Sequence, residues 1–241
     1  MDYIVRAVIQ AVQLITSFDD SVISIASLSI RVSLTSTLIA SLIGIPIGFI
    51  LGTCKFRGRS LLTSILNTLL SIPTVVVGLA VYSVISRRGP LGELGLLFTP
   101  TAIIIGQTIL ALPIISALTM NATRDMDRVL WNTAVSLGSS RVQAAILLLK
   151  HARFAIVGAV IAGFGRVVAE VGASMMLGGN IANYTRTLTT AISLETSKGD
   201  FSFAIALGII LLLVSFSVNL GVYFFQQWTR RASIKTGERY S

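Results

Sequence analysis

The sequence predicts an all-α, polytopic membrane protein. It reads as five transmembrane helices plus an amphipathic N-terminal helix at the membrane interface. Three observations lead there. Of the 241 residues, 54% are hydrophobic and only 12% charged, about half the charge of an ordinary soluble domain. The mean hydropathy is +0.84. The apolar residues also gather into separate blocks, each holding the ~20 residues a helix needs to cross a bilayer. A net charge of +9 would suggest nucleic acid in a soluble chain. In a membrane protein Lys and Arg mark cytoplasmic loops instead, so no nucleic-acid partner is expected. The one cysteine, Cys54, and the one histidine, His151, allow no intrachain disulfide and predict no metal site.

Residues 1–17 place Asp2, Arg6, Gln10, Gln13 and Ser17 three or four apart, with Tyr3, Ile4, Val5, Val8, Ile9, Val12 and Leu14 between them. That is helical amphipathic spacing. The polar interruptions favour a segment, 1–20, that lies on the interface; the alternative is an extra span. Asp2 and Arg6 also make it a poor signal peptide. The first apolar block is Leu28–Thr53, with Arg31 near its start and Gly44-Ile45-Pro46-Ile47-Gly48 in its second half. The others are Ser60–Ser86 with Pro73, Thr101–Ala122 with Pro113, Phe154–Leu177 with Arg166 and Glu170, and Ser202–Trp228. A proline inside a span removes a backbone donor and can kink it. Gly44 and Gly48 repeat at four, as do Gly158 and Ala162, and small residues at that spacing permit close helix contact.

Charge sets the orientation. With the end of the first block in the cytoplasm, the inner segments hold Lys55, Arg57, Arg59, Arg124, Arg128, Arg141, Lys150, Arg153, Arg230, Arg231, Lys235 and Arg239 against Asp125, Asp127 and Glu238. The outer segments hold Arg6, Arg87, Arg88, Arg186 and Lys198 against Asp2, Asp19, Asp20, Glu93, Glu195 and Asp200. Basic residues favour the cytoplasmic side. The N-terminus is therefore expected outside, the C-terminus inside, and residues 229–241 form a basic cytoplasmic tail.

The same topology puts Asn132–His151 in the cytoplasm. This stretch is too polar to cross a bilayer. Its Ala, Leu, Val and Gln favour helix, while Gly138-Ser139-Ser140 favours a break. It predicts two short helices bent at Gly138, with Ser139 or Ser140 capping the second.

Arg166 and Glu170 are the costliest residues in the chain, since a lone charge deep in a span costs about 3 kcal/mol or more. They are one helical turn apart. Either they form a buried ion pair that fixes packing, or Arg166 lines a translocation path and attracts an anion. Ser33, Thr35, Ser36, Thr37, Ser71, Thr74, Thr108 and Ser116 supply hydroxyls in the spans; most are expected to bond their own helix backbone.

These residues resemble one family. Permease subunits of ATP-binding-cassette importers carry a cytoplasmic Glu-Ala-Ala, then a Gly, then a Leu-Pro. Here Asn132-Thr133-Ala134 stands in the first place and Gly138 in the second, while Lys150-His151 replaces Leu-Pro. Gly163-Phe164-Gly165-Arg166-Val167-Val168-Ala169-Glu170-Val171-Gly172-Ala173-Ser174, followed by Gly178-Gly179-Asn180, is similar to the fourth-span signature of the sulfate, molybdate and tungstate branch. The run from Thr185 to Phe201 resembles its tungstate-type members, which also tend to lack the Leu-Pro. The resemblance covers residues 25–228.

The resemblance implies a permease domain over 25–228 in the cytoplasmic membrane, with helices at 132–151 that couple to a motor. Asn132, Thr133, Ala134, Leu137, Gly138, Arg141 and Ala144 would meet the ATPase. The partners would be a second copy of the chain, two ATP-binding subunits, membrane lipids and an extracytoplasmic oxyanion-binding protein. That protein would deliver tungstate, or next molybdate, to the outer loops 87–100 and 178–201. The chain itself would be no enzyme and bind no cofactor; ATP and Mg would sit on the partner ATPase, since no Gly-x-x-x-x-Gly-Lys-Ser/Thr occurs here. The competing reading is an ion-driven transporter or channel, which gives the 132–151 pair no role. An intramembrane enzyme is disfavoured because His-Glu-x-x-His and Gly-x-Ser-x-Gly are both absent.

Overall fold

A computed structural model describes residues 20–124 and 127–237, together with scattered positions between 5 and 17; side chains are described outside 127–130, 222–223 and 225–237. The interfacial helix expected over 1–17 and the far end of the tail, 238–241, lie largely or wholly outside the described residues. Among those described, the regular structure is α-helix with one short 3-10 turn, Gly92–Leu94.

The first helix, α1 (Asp20–Thr53), starts earlier than its apolar block and carries Pro46 inside it without a break. Two shorter helices follow, α2 (Arg59–Leu69) and α3 (Thr74–Ile85). The third apolar block is α4 (Pro100–Arg124), with Pro113 inside it. Then come α5 (Asp127–Ser136), α6 (Arg141–Val168), α7 (Gly172–Gly178), α8 (Leu188–Lys198) and α9 (Phe201–Gly237).

Helices α1 and α4 form the spine and run parallel. Ser36 meets Gln107, Gly44 meets Ser116, and Gly52 meets Thr123, so position along one helix rises with position along the other. The expected small-residue contact is found here. A Cβ on Gly48 would collide with the Ser116 carbonyl oxygen and lie 2.8 Å from Thr119 Cβ. The missing side chain is what lets the backbones approach. The second small pair behaves differently: Gly158 has nothing within 4 Å of a would-be Cβ and Ala162 is exposed. No close helix contact is made at that stripe among the described residues.

The second apolar block is not one straight helix. Helices α2 and α3 meet at a 102° bend. Pro73 stands as the residue before α3, where its missing N–H costs least, and the chain turns through Ser71 N donating to Thr68 O and Ile72 N to Leu69 O. The pair still crosses the bundle. It begins with the Arg59 guanidinium donating to the Leu51 and Gly52 carbonyls at 2.7 and 2.9 Å. It ends with Val81 and Ile85 packed on Ala102 and Leu177 at the opposite end. With the four long apolar helices α1, α4, α6 and α9, this makes five crossings, one of them broken.

Helix α6 also corrects the expected boundaries. The second short helix and the fourth span are one continuous helix from Arg141 to Val168. Lys150 and His151 do not interrupt it because both point outward, and Arg153 lies over the Phe154 ring at 4.7 Å. The helix then stops at Val168, before Glu170 and well short of the expected Leu177. Helix α6 runs antiparallel to α4, with Gly163 against Ile115, and Val167 joins Ala40, Ala111 and Ile115 in the central core. Val22 and Ile25 of α1 pack with Leu188, Ala191, Leu207 and Ile210. The molecule thus has two poles. One gathers the start of α1, the start of α4, the end of α6, and α7 to the start of α9. The other gathers the ends of α1 and α4, α5, and the start of α6.

Candidate functional site

At the second pole the chain builds an elbow. Helix α5 closes through Leu137 N donating to Thr133 O and Gly138 N to Val135 O, both at 3.0 Å. Gly138 then adopts φ +86°, a conformation that costs other L residues about 1–2 kcal/mol. Ser140 starts the next helix. Its hydroxyl accepts from Gln143 N at 3.3 Å, and the Gln143 side chain accepts from Ser140 N at 2.8 Å. This reciprocal cap satisfies two otherwise orphaned donors. The bend at Gly138 is thus found as the sequence predicts, and of the two candidate caps, Ser139 and Ser140, the structure uses Ser140.

The residues expected there divide into two kinds. Asn132, Thr133, Leu137, Gly138 and Arg141 are exposed. Leu137 is 81% exposed and Val142 69%, so the tip of the elbow offers apolar side chains to solvent. Ala134 and Ala144 are buried at 5% and 2%. They belong to the two helices, α5 and α6, that pack on each other at the elbow.

The first pole holds the polar interior. Arg166 Nη1 and Glu170 Oε2 are 2.8 Å apart. Arg166 is on α6, half-exposed, whereas Glu170 is buried in the break that follows. Glu170 has further partners. Its Oε1 accepts from Ala173 N at 3.1 Å, which caps α7, and its backbone carbonyl accepts from Thr189 Oγ1 at 2.9 Å. A carboxylate with an ion pair and a backbone donor is a well-satisfied buried charge.

Residues that the sequence did not single out complete this interior. Gln107 of α4 accepts from Ser36 Oγ at 3.0 Å and donates to the Val167 carbonyl at 3.2 Å and to Ser174 Oγ at 3.5 Å. One side chain therefore ties α1, α4, α6 and α7. Ser29 Oγ accepts from Leu188 N at 2.7 Å. Thr187 caps α8 with Thr190 in a second reciprocal box. The signal for Gln107 was present: it is a glutamine in the middle of an apolar block, whereas Gln226 and Gln227 stand at the end of theirs, and a polar group at that depth must find partners. Of the hydroxyls named from the sequence, Thr35, Thr37 and Thr108 do bond their own helices at 2.7 Å. Ser36 bonds the Ser33 carbonyl at 3.1 Å and also reaches across to Gln107, and Ser116 is buried between α1 and α4 with no hydrogen-bond partner among the described residues.

Comparison with known proteins decides the family. Residues 44–231 match the family described as binding-protein-dependent transport system inner membrane component. The chain belongs to that family.

Its relatives are close. It is 40% identical over 94% of its length to the tungstate uptake system permease protein TupB of Peptoclostridium acidaminophilum, all of which is covered. It is 46% identical over 91% of its length to the TupB of Campylobacter jejuni, of which 92% is covered. A molybdenum transport permease of Escherichia coli is more distant at 31%. Among solved structures, an inward-facing crystal form of the MetNI methionine ABC transporter matches with TM-score 0.70 at 18% identity, covering 85% of this chain and 94% of that one. That likeness shows the permease fold. The chain is thus a transport permease, an inner membrane component, and its helices are the ones such a component passes through the bilayer.

Proposed function

We propose that this permease imports a tetrahedral oxyanion, tungstate first and molybdate next, as part of an ATP-driven transporter. The observation that carries the substrate is the 40–46% identity, over nearly the whole chain, to permeases named for tungstate uptake. Two copies pair, and each presents its elbow to a separate ATPase that holds ATP and Mg. Leu137, Arg141, Asn132 and Thr133 make the contact, and Gly138 sets the angle at which they are offered. Closure of the ATPases rocks the permeases between inward- and outward-facing states. An extracytoplasmic receptor delivers the oxyanion to the pole that holds residues 178–200.

The orientation follows from charge. Lys55, Arg57, Arg59, Arg124, Arg141, Lys150 and Arg153 gather at the elbow pole, which faces the cytoplasm; the N-terminus is outside and the C-terminus inside. Arg166 is held by Glu170 and contributes to packing of the break more than to attraction of the anion.

The test is reconstitution of permease, ATPase and receptor in vesicles. ATP-dependent uptake of radiolabelled tungstate, abolished by vanadate, is expected. The isolated receptor should bind tungstate more tightly than molybdate and far more tightly than sulfate. Preference for sulfate overturns the substrate; uptake that persists under vanadate overturns the mechanism.

A further inference from the structure

Arginine in an apolar span demands an anion nearby. Arg166 has one in Glu170. Arg31, within the apolar run of α1, shows no ion pair or side-chain hydrogen bond among the described residues. Arg186, between α7 and α8, donates from Nη2 to the Asn180 carbonyl at 3.4 Å, but its Nε is buried without a hydrogen-bond partner among the described residues. These two guanidiniums line one cavity of about 450 Å³, together with Ser24, Ser27, Asn183 and Tyr184. Among the described residues no carboxylate lines it. Arg31 and Tyr184 also border a second cavity of about 490 Å³, which extends toward the start of α4. Two arginines with donors to spare, ringed by hydroxyls and an amide, form a site for a compact anion with several acceptor oxygens.

The geometry points to a binding station for the transported tetrahedral oxyanion between Arg31 and Arg186, at the receptor-facing pole. This rests on the oxyanion reading above and adds the place where the anion is held after it leaves the receptor. Two features favour free cargo over a receptor carboxylate. The donors converge from two separate elements, α1 and the 179–187 loop, as a multi-oxygen tetrahedral ligand requires. The loop is also joined to the interior: Leu188 N bonds Ser29 and Thr189 bonds the Glu170 carbonyl. An anion seated there touches an element that leads directly to the α6–α7 break. Arginine forks recognise such oxyanions better than lysine does.

The experiment uses the complete transporter in phosphatidylcholine vesicles with radiolabelled tungstate. If the unaltered complex does not import tungstate, the tungstate assignment fails while the oxyanion reading stands, and the station is tested with whichever oxyanion the receptor binds. Given import, the double variant Arg31→Gln with Arg186→Gln is expected to lose about tenfold or more of its uptake at saturating receptor, the effect of losing charged hydrogen bonds. Receptor affinity and receptor-independent ATP hydrolysis should stay unchanged. Unaltered uptake overturns the proposal. A parallel fall in receptor affinity also overturns it, since the arginines then dock a receptor carboxylate. A loss confined to vesicles containing phosphatidylglycerol assigns the pair to an anionic lipid headgroup and overturns it too. Should the double variant fail to assemble, Arg31→Lys and Arg186→Lys decide singly. Each keeps its charge but loses the fork and should lower uptake; normal uptake in both sinks the station.

Discussion

Gly48 and Gly138 both favour glycine, for opposite reasons. Gly48 sits in an ordinary helix, and its would-be Cβ has no room because the backbone of α4 occupies the space. Gly138 has open space all round, and its constraint is φ +86°. The spine of the bundle is limited by contact, and the elbow by chain conformation. The contrast teaches that damage at the spine should spread through the fold. Damage at the elbow should stay local and be felt by a partner.

The largest expected effect is at the spine. Gly48→Ala should separate α1 from α4, with overpacking that costs about 3 kcal/mol. Thermal unfolding of the detergent-solubilised permease should show a clear drop, and an unchanged midpoint would break the comparison at its root. Next comes Glu170→Leu, at the polar end of the same spine. It removes the partner of Arg166 and the cap of α7, at about 2 kcal/mol given the half-exposed arginine. Adding Arg166→Leu should recover part of that loss, because no unpaired charge remains. A double variant less stable than the single one would contradict the ion-pair role.

Gly52→Ala should cost less than Gly48→Ala. The obstruction at Gly52 is chiefly the Thr123 hydroxyl, a side-chain atom that rotation can move. Reversal of that ranking in the melting series would show that backbone distance does not control the spine. At the elbow, Gly138→Val should cost only about 1–2 kcal/mol of local strain and leave the permease folded, yet abolish capture of the ATPase. Normal capture would remove the coupling role of the elbow. Gly138→Asn should be the mildest change, since Asn tolerates left-handed backbone. Its ATP-dependent uptake is expected close to that of the unaltered protein, and a loss as deep as that of the Val variant would mean that space, not φ, governs the elbow.

Much of the fold was legible because its signals are local. Five apolar blocks required five crossings. Gly138 announced a turn, and Ser139 or Ser140 a cap, since these act on neighbouring backbone groups. Arg166 and Glu170, four apart, announced a pair. Other features were hidden for a physical reason. The continuity of α6 through Lys150 and His151 depended on which face those residues occupy. The 102° break at Pro73 could not be told from the gentle tolerance shown at Pro46 and Pro113, because proline leaves the outcome to the neighbours that receive the freed backbone groups.

By itself the sequence determined that this chain lives in a membrane, how often it crosses, and where its polar handle bends, because hydropathy, charge bias and turn chemistry are summed over adjacent residues. Only the tertiary structure decided which glycines are pressed against a neighbour, that Gln107 ties four helices, and that Arg31 and Arg186 share a cavity. Those facts belong to residues tens or hundreds of positions apart. No local rule carries such a contact; it exists only once the helices have packed.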